Sequence, residues 1–213
     1  MKAIFARFGI RTLRPTSRKA EEQLEGLRTA EGMPLLENTR AELYRHLARL
    51  RVVREQIRAI EHERLRKLAA ASAAEKGPHA MVRLLARVLG IGVETADMLV
   101  NEVLSRHLRD RKAVARYAGL TGAPDESGRR RREKGLARTG NARVRRGMIE
   151  FAWRFLRFQK DSALAQWFKV RTADGRGTTR KTMIVALARK LLIALWRLVT
   201  IGKVPEGVIL RAA

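Results

Sequence analysis

The chain has 213 residues, enough for one or two domains with a real core, and sets 46 Lys plus Arg against 21 Asp plus Glu, a formal charge of +25. That excess is too large for a neutral small-molecule enzyme and points to a polyanionic partner, with nucleic acid the best fit. The absence of cysteine excludes disulfides and thiolate metal sites, and the four histidines form no ligand-spaced pair. Lys190 and Arg197 interrupt the apolar C-terminal stretch, so no run reaches membrane-spanning length.

In chain order, residues 1–34 read as a basic, irregular segment. Lys2, Arg7, Arg11, Arg14 and Arg18 come without a small-residue cleavage site, which suggests a tail rather than a signal peptide and a cytoplasmic location. Pro15, Gly26, Gly32 and Pro34 punctuate the segment, with one short helical stretch around residues 18–28. From Leu35 to about Ala74 the pattern is strongly helical. Leu36, Leu43, Leu47, Leu50, Val53, Ile57, Ile60 and Leu68 fall at spacings of three, four and seven. A helix over 35–68 would be about 50 Å long and cannot hide its stripe alone. Two partners are open to it: a second copy, giving a homo-oligomer through residues 36–68, or the rest of its own domain. Arg40, Arg54, Glu61 and Arg64 at would-be core positions make any coiled coil short or imperfect.

Lys76-Gly77-Pro78 ends that helix, because proline disfavours the helical conformation of its predecessor. Three parts are therefore expected: residues 1–34, the helix of 35–76, and a domain over 77–213. The last reads as helices over 81–88, 93–104, 111–118, 143–158, 162–171 and 180–199, with no convincing period-two strand. The expected fold class is all-α.

Three motifs carry chemistry. Gly90-Ile91-Gly92, between two apolar-periodic helices and before Thr95-Ala96, has the form of a helix-hairpin-helix, whose exposed amides at a helix start take a DNA phosphate. Leu89 stands where that motif usually has proline. Next, the turn Gly119-Leu120-Thr121-Gly122 leads to Ser127-Gly128-Arg129-Arg130-Arg131-Arg132, a hydroxyl beside four guanidinium groups. Such a loop either holds a phosphate near a nucleophile or simply coats a nucleic-acid backbone. Third, Arg138-Thr139-Gly140-Asn141 opens a helix carrying Arg143, Arg145 and Arg146, where phosphates would meet both amides and guanidinium groups. The aromatics Phe151, Trp153, Phe155, Phe158, Trp167, Phe168 and Trp196 have helical spacing, which favours core packing over base stacking.

These pieces, in this order and with the closing Ala186-Leu187-Ala188-Arg189-Lys190-Leu191-Leu192, resemble the C-terminal half of the "one-ten" family of bacterial insertion-sequence transposases, which includes Piv-type DNA invertases. The resemblance implies a serine nucleophile at Ser127, DNA as partner, and a structured guide RNA of the kind the family is understood to use. It also implies a coiled-coil segment over the long helix. The family's RuvC-like domain, with four metal-binding acids, would precede residue 1. Residues 1–34 hold only Glu21, Glu22, Glu25 and Glu31 as acids, so no cofactor is expected in this chain and magnesium belongs to that other domain. If the chemistry operates, the Ser127 hydroxyl attacks a phosphodiester and the arginines neutralise charge growing on phosphate oxygens. Asp125 and Glu126 are the nearest bases in sequence, and both are also ordinary turn residues. The alternative is a non-catalytic DNA- or RNA-binding remnant that oligomerises with an intact transposase.

Overall fold

The structure, a computed structural model, describes residues 1–70, 77–127, 130–136 and 139–212, and over 123–135 only the backbone of two strands. The all-α class holds. Nine helices carry the chain among the described residues, joined by one two-stranded ribbon that the sequence reading had as loop. The chain divides into two compact units, Met1–Ala70 and Ala71–Ala213.

In the first unit, the segment read as a tail is folded. Helices α1 (Lys2–Arg7) and α2 (Ala20–Glu25) bring Phe5, Ile10, Leu13 and Leu24 against the start of α3 (Glu37–Ala70). Leu43 and Leu47 of α3 are buried there, each worth about 1.5–3 kcal/mol over exposure. Polar pairs extend the seam: Arg51 lies 2.6 Å from the Glu21 carboxylate, and Arg54 donates to the Thr16 carbonyl at 2.8 Å. Beyond this seam the apolar stripe of α3 is uncovered. Val52, Val53, Ile57, Ile60 and Leu65 are each about half exposed. The apolar stripe is thus split between an intramolecular seat and a bare outer section. Glu63 there accepts two hydrogen bonds from Arg66, both 2.7 Å, and the guanidinium holds its carboxyl down to about 2 from 4.5.

The second unit begins at α4 (Pro78–Ala86), with Pro78 in the first turn, where its missing N–H costs nothing. Then come α5 (Val93–Leu99), widening without a break into a π-helical turn (Val100–Leu104), α6 (Arg111–Tyr117), the strands β1 (Gly122–Ser127) and β2 (Arg130–Leu136), α7 (Ala142–Phe158), α8 (Ala163–Arg171) and α9 (Gly177–Ile201). α7 buries Val144, Met148, Phe151, Ala152 and Phe155, the i, i+4, i+7, i+8, i+11 face of one helix, and α9 packs against it with Leu187, Leu191, Leu192, Leu195 and Leu198 buried. Phe151 and Phe155 meet edge to face at 5.8 Å. The aromatic expectation is met by these two and by Phe168. Trp153 and Phe158 differ, at 40% and 44% exposed, because they stand on the flank of α7, where Arg180 and Arg157 stack on their rings.

Candidate nucleic-acid interface

Gly90 to Gly92 form the turn between α4 and α5. Gly90 has φ of +102°, and a Cβ there would press on the Phe158 ring at 3.3 Å, so the position needs glycine twice over. Ile91 is fully buried and anchors the turn from inside. Gly92 is the N-cap of α5 in extended conformation, with no atom within 4 Å of a hypothetical Cβ, so its outer side is open. The rigidity that proline would supply at Leu89 comes from two side chains distant in sequence. Buried Gln159 donates from Nε2 to the carbonyls of Leu89 (2.9 Å) and Ile209 (3.0 Å), and its Oε1 accepts from the Ile209 amide at 2.8 Å. Arg211 donates to the carbonyls of Ala86 (2.7 Å) and Ile91 (3.1 Å), and Val88 pairs with Leu210 in a single antiparallel bridge. The C-terminal segment straps the turn.

A second glycine crossing forms the root of the ribbon. Gly119 (φ +64°) follows α6 and Gly140 (φ +91°) precedes α7; a Cβ on Gly140 would fall 2.6 Å from the Gly119 nitrogen. The Asn141 amide donates to the Tyr117 carbonyl at 2.7 Å. The Asn141 side chain caps α7, with Oδ1 accepting from the amides of Arg143 (3.0 Å) and Val144 (3.1 Å). Its Nδ2 donates to Glu102 at 2.8 Å, and Arg143 reaches the other Glu102 oxygen at 3.2 Å. Glu102 sits in the π-helical turn after α5, so that turn ties the hairpin helices to the ribbon's root. Arg145 donates to the Thr139 carbonyl, and Arg146 is exposed.

From this root the strands pair antiparallel, with an irregularity between Gly122 and Ala123. Register partners are Ser127 and Arg130, Glu126 and Arg131, Asp125 and Arg132. The two-residue period of a strand puts residues 125, 127, 130 and 132 on one face and 126 and 131 on the other. Arg130 and Arg132 thus share the face of Ser127, and Arg131 stands on the other. Gly128, Arg129 and Arg138 lie outside the described residues.

Residues 82–167 match the model of the transposase IS116/IS110/IS902 family. The chain is also 42% identical over 218 residues to y4rJ, a curated protein of Sinorhizobium fredii (strain NBRC 101917 / NGR234) named as a candidate transposase, covering 99% of this chain and 54% of that relative. In both comparisons the chain is similar to transposases of this kind. It spans about half the length of the curated relative it matches. No solved structure matches it.

The matched span contains the α4–α5 turn, the glycine crossing, the ribbon and α7. The structure gathers Gly119, Gly140, Asn141, Arg143 and Arg145 at the ribbon's root. It engages Gly140 and Asn141 within the protein, where the sequence reading gave them to a phosphate. Ser162 is fully buried as the N-cap of α8, its hydroxyl donating to the Gln159 carbonyl at 2.8 Å. Among the described residues no three acids or histidines converge in a way that could hold a metal ion. No helix among them is long and apolar enough to cross a membrane.

One feature of the surface escaped the sequence reading. An open groove of about 970 Å³ runs beside the ribbon's root, touching Gly122 and Leu136. Its floor is aliphatic, with Leu120, Val185 and Ile193, and its walls carry many more cations than acids.

Proposed function

We propose that the chain binds DNA and contributes the serine of a strand-transfer reaction in transposition. The observation that carries this reading is the strand register, which pairs Ser127 with Arg130 and sets residues 125 and 132 on the same face of a ribbon with a braced root. In the proposed step the Ser127 Oγ attacks a phosphodiester phosphorus. A serine–phosphate ester forms, the bond to one sugar oxygen breaks, and the bond energy is kept for rejoining. The serine proton passes to a base, Asp125 being the carboxylate on its face, and the leaving sugar oxygen takes up a proton. Arg130 and Arg132 offset charge on the phosphate oxygens. The open side of the turn at Gly92, which Gly90 and Ile91 shape from within, and Arg146 hold the backbone further along. The metal-binding acids belong, in this reading, to a RuvC-like domain outside this chain.

The test supplies that domain in trans with magnesium and cognate DNA. Ser127→Ala should abolish covalent protein–DNA adducts while DNA affinity changes less than about threefold, one hydroxyl adding little among so many cations. Arg130→Ala with Arg132→Ala should slow adduct formation more than Arg131→Ala does. Equal effects of all three arginines would contradict the one-face arrangement.

A second reading is favoured by the bare section of α3. Val53, Ile57 and Ile60 would pair two copies, or this chain with a longer relative, as a non-catalytic assembly partner. Ile57→Glu with Ile60→Glu should then turn an oligomer into a monomer in light scattering. An unchanged mass would remove this reading.

A further inference from the structure

The groove beside the ribbon's root has a composition that neither the hairpin nor the serine requires. Arg111 and Lys112 stand on the α6 side, and Lys203 follows α9. The long wall is α9 itself, where Lys181, Arg189 and Arg197 alternate with Val185 and Ile193 every four residues, and Lys190 lies alongside. Eight residues at 1.5 Å rise put successive alternating cations about 12 Å apart along the axis, on a ridge that winds round the helix. Among the described residues of the lining, Glu206 is the single acid. Among the described side chains none of the seven cations has a carboxylate within ion-pair distance. Seven like charges around one depression repel one another, and a polyanion in the groove relieves that cost.

We infer that this groove is a track for a single nucleic-acid strand, the α9 cations following its phosphates while sugar and base edges lie on the aliphatic floor. The charge ratio selects a phosphodiester chain, because an acidic polypeptide would have to supply an equally dense row of carboxylates. The concave, partly apolar floor selects one strand, because a duplex presents only phosphates to such a surface and would leave Val185 and Ile193 uncovered. No aromatic side chain lines the groove, so bases have no stacking platform and recognition is electrostatic and sequence-tolerant. The groove touches Gly122 and Leu136, the first and last residues of the ribbon. A strand lying in it therefore runs to the root of the element that carries Ser127. The inference shares the premise of a nucleic-acid partner with the proposed function but does not depend on Ser127 being a nucleophile.

The experiment measures binding of the full chain to oligothymidylate, oligouridylate, a DNA duplex and polyglutamate over a salt series. Lys181→Glu, Arg189→Glu and Arg197→Glu are combined, with Lys160→Glu, Lys169→Glu and Arg171→Glu as a charge-matched control outside the groove. The groove variant should weaken both single strands about a hundredfold and lower the salt slope by about 2, three single-strand phosphate contacts having been lost. The control should change affinity less than about threefold. Gln at the same three groove positions, with circular dichroism, guards against misfolding and should give a smaller loss in the same direction. Photo-crosslinking of thiothymidine-containing strand to the unaltered chain should label peptides of residues 111–112 and 181–203. Equal losses in the groove variant and the control, or crosslinks confined to the hairpin turn and ribbon, would overturn the track. A loss confined to polyglutamate would reassign the groove to an acidic protein, and a loss confined to duplex would remove the single-strand assignment. Strand binding that survives Ser127→Ala while adducts vanish separates this inference from the serine chemistry.

Discussion

Gly92 and Gly140 each stand at a tight turn just before a helix, and the space around them differs completely. At Gly92 the backbone is extended and the Cβ direction is empty to 4 Å; at Gly140 φ is +91° and the same direction is filled by the Gly119 backbone at 2.6 Å. The amides at the start of α7 are partly spent on the Asn141 side chain, whereas no side chain caps α5. One helix start is open to a ligand, and the other is consumed in building the ribbon's root. The difference teaches that a glycine before a helix marks a phosphate site only where its outer side is vacant.

The largest effect should come from filling the occupied turn. Gly140→Ala puts a side chain into backbone at a left-handed φ and should cost about 3–5 kcal/mol in urea unfolding of the second unit. Gly92→Ala should stay within about 1 kcal/mol of the original stability and reduce DNA affinity instead. If Gly140→Ala were as mild as Gly92→Ala, the contrast would be gone.

Next in size is the brace under the open turn. Gln159→Leu removes three hydrogen bonds from a position 1% exposed and leaves the Leu89 carbonyl without its partner, which should cost about 2–4 kcal/mol. Asn141→Ala removes the α7 cap and the tie to Glu102, with an expected loss of about 1–2 kcal/mol in the same unfolding assay. Reversal of that order would mean that the ribbon's root, rather than the strapped hairpin, is the stiffer of the two.

The smallest effect is one of pH. The Asp110 carboxyl, which accepts from the Ala113 amide as the cap of α6, is held below its ordinary value, and Glu63 is held at about 2 by Arg66. Both folded values are depressed, so each contribution is present above the ordinary carboxylate range and is lost as pH falls through it. For Glu63 that window runs from 4.5 down to about 2. Helical circular dichroism should fall modestly across it, and Glu63→Gln should remove that part of the change.

Most helices of the second unit were legible in the sequence because apolar periodicity and turn residues agree there. Pro78, Asp110, Asn141 and Ser162 each sit at or beside a helix start. The first unit was not legible as a fold. Phe5, Ile10, Leu13 and Leu24 are scattered between prolines and glycines, with no period for a helix to announce, and only α3 brings them together. The ribbon was read as loop because its strands are built of charge, with Asp125 opposite Arg132 and Glu126 opposite Arg131, and show no apolar alternation. In the candidate site, the hairpin and the serine segment were visible as motifs. The bracing of Leu89 by Gln159 and Arg211 was not, because it joins residues far apart in the chain. The groove was missed for a different reason: Lys190 and Arg197 were noticed only as interruptions of an apolar run. The four-residue alternation of cation and aliphatic from Lys181 to Arg197 was the signal that could have revealed it.

The most direct measurement is the site of covalent attachment. With the RuvC-like domain, magnesium and cognate DNA supplied, trapped adducts are digested with nuclease and trypsin and sequenced by mass spectrometry. Cleavage after Arg116 and Arg129 releases Tyr117–Arg129, in which Tyr117, Thr121 and Ser127 are the hydroxyl residues. A nucleotide remnant on Ser127 of that peptide is the predicted result. A remnant on Tyr117, Thr121 or any other peptide, or an adduct that forms equally well with Ala at position 127, would contradict the serine assignment.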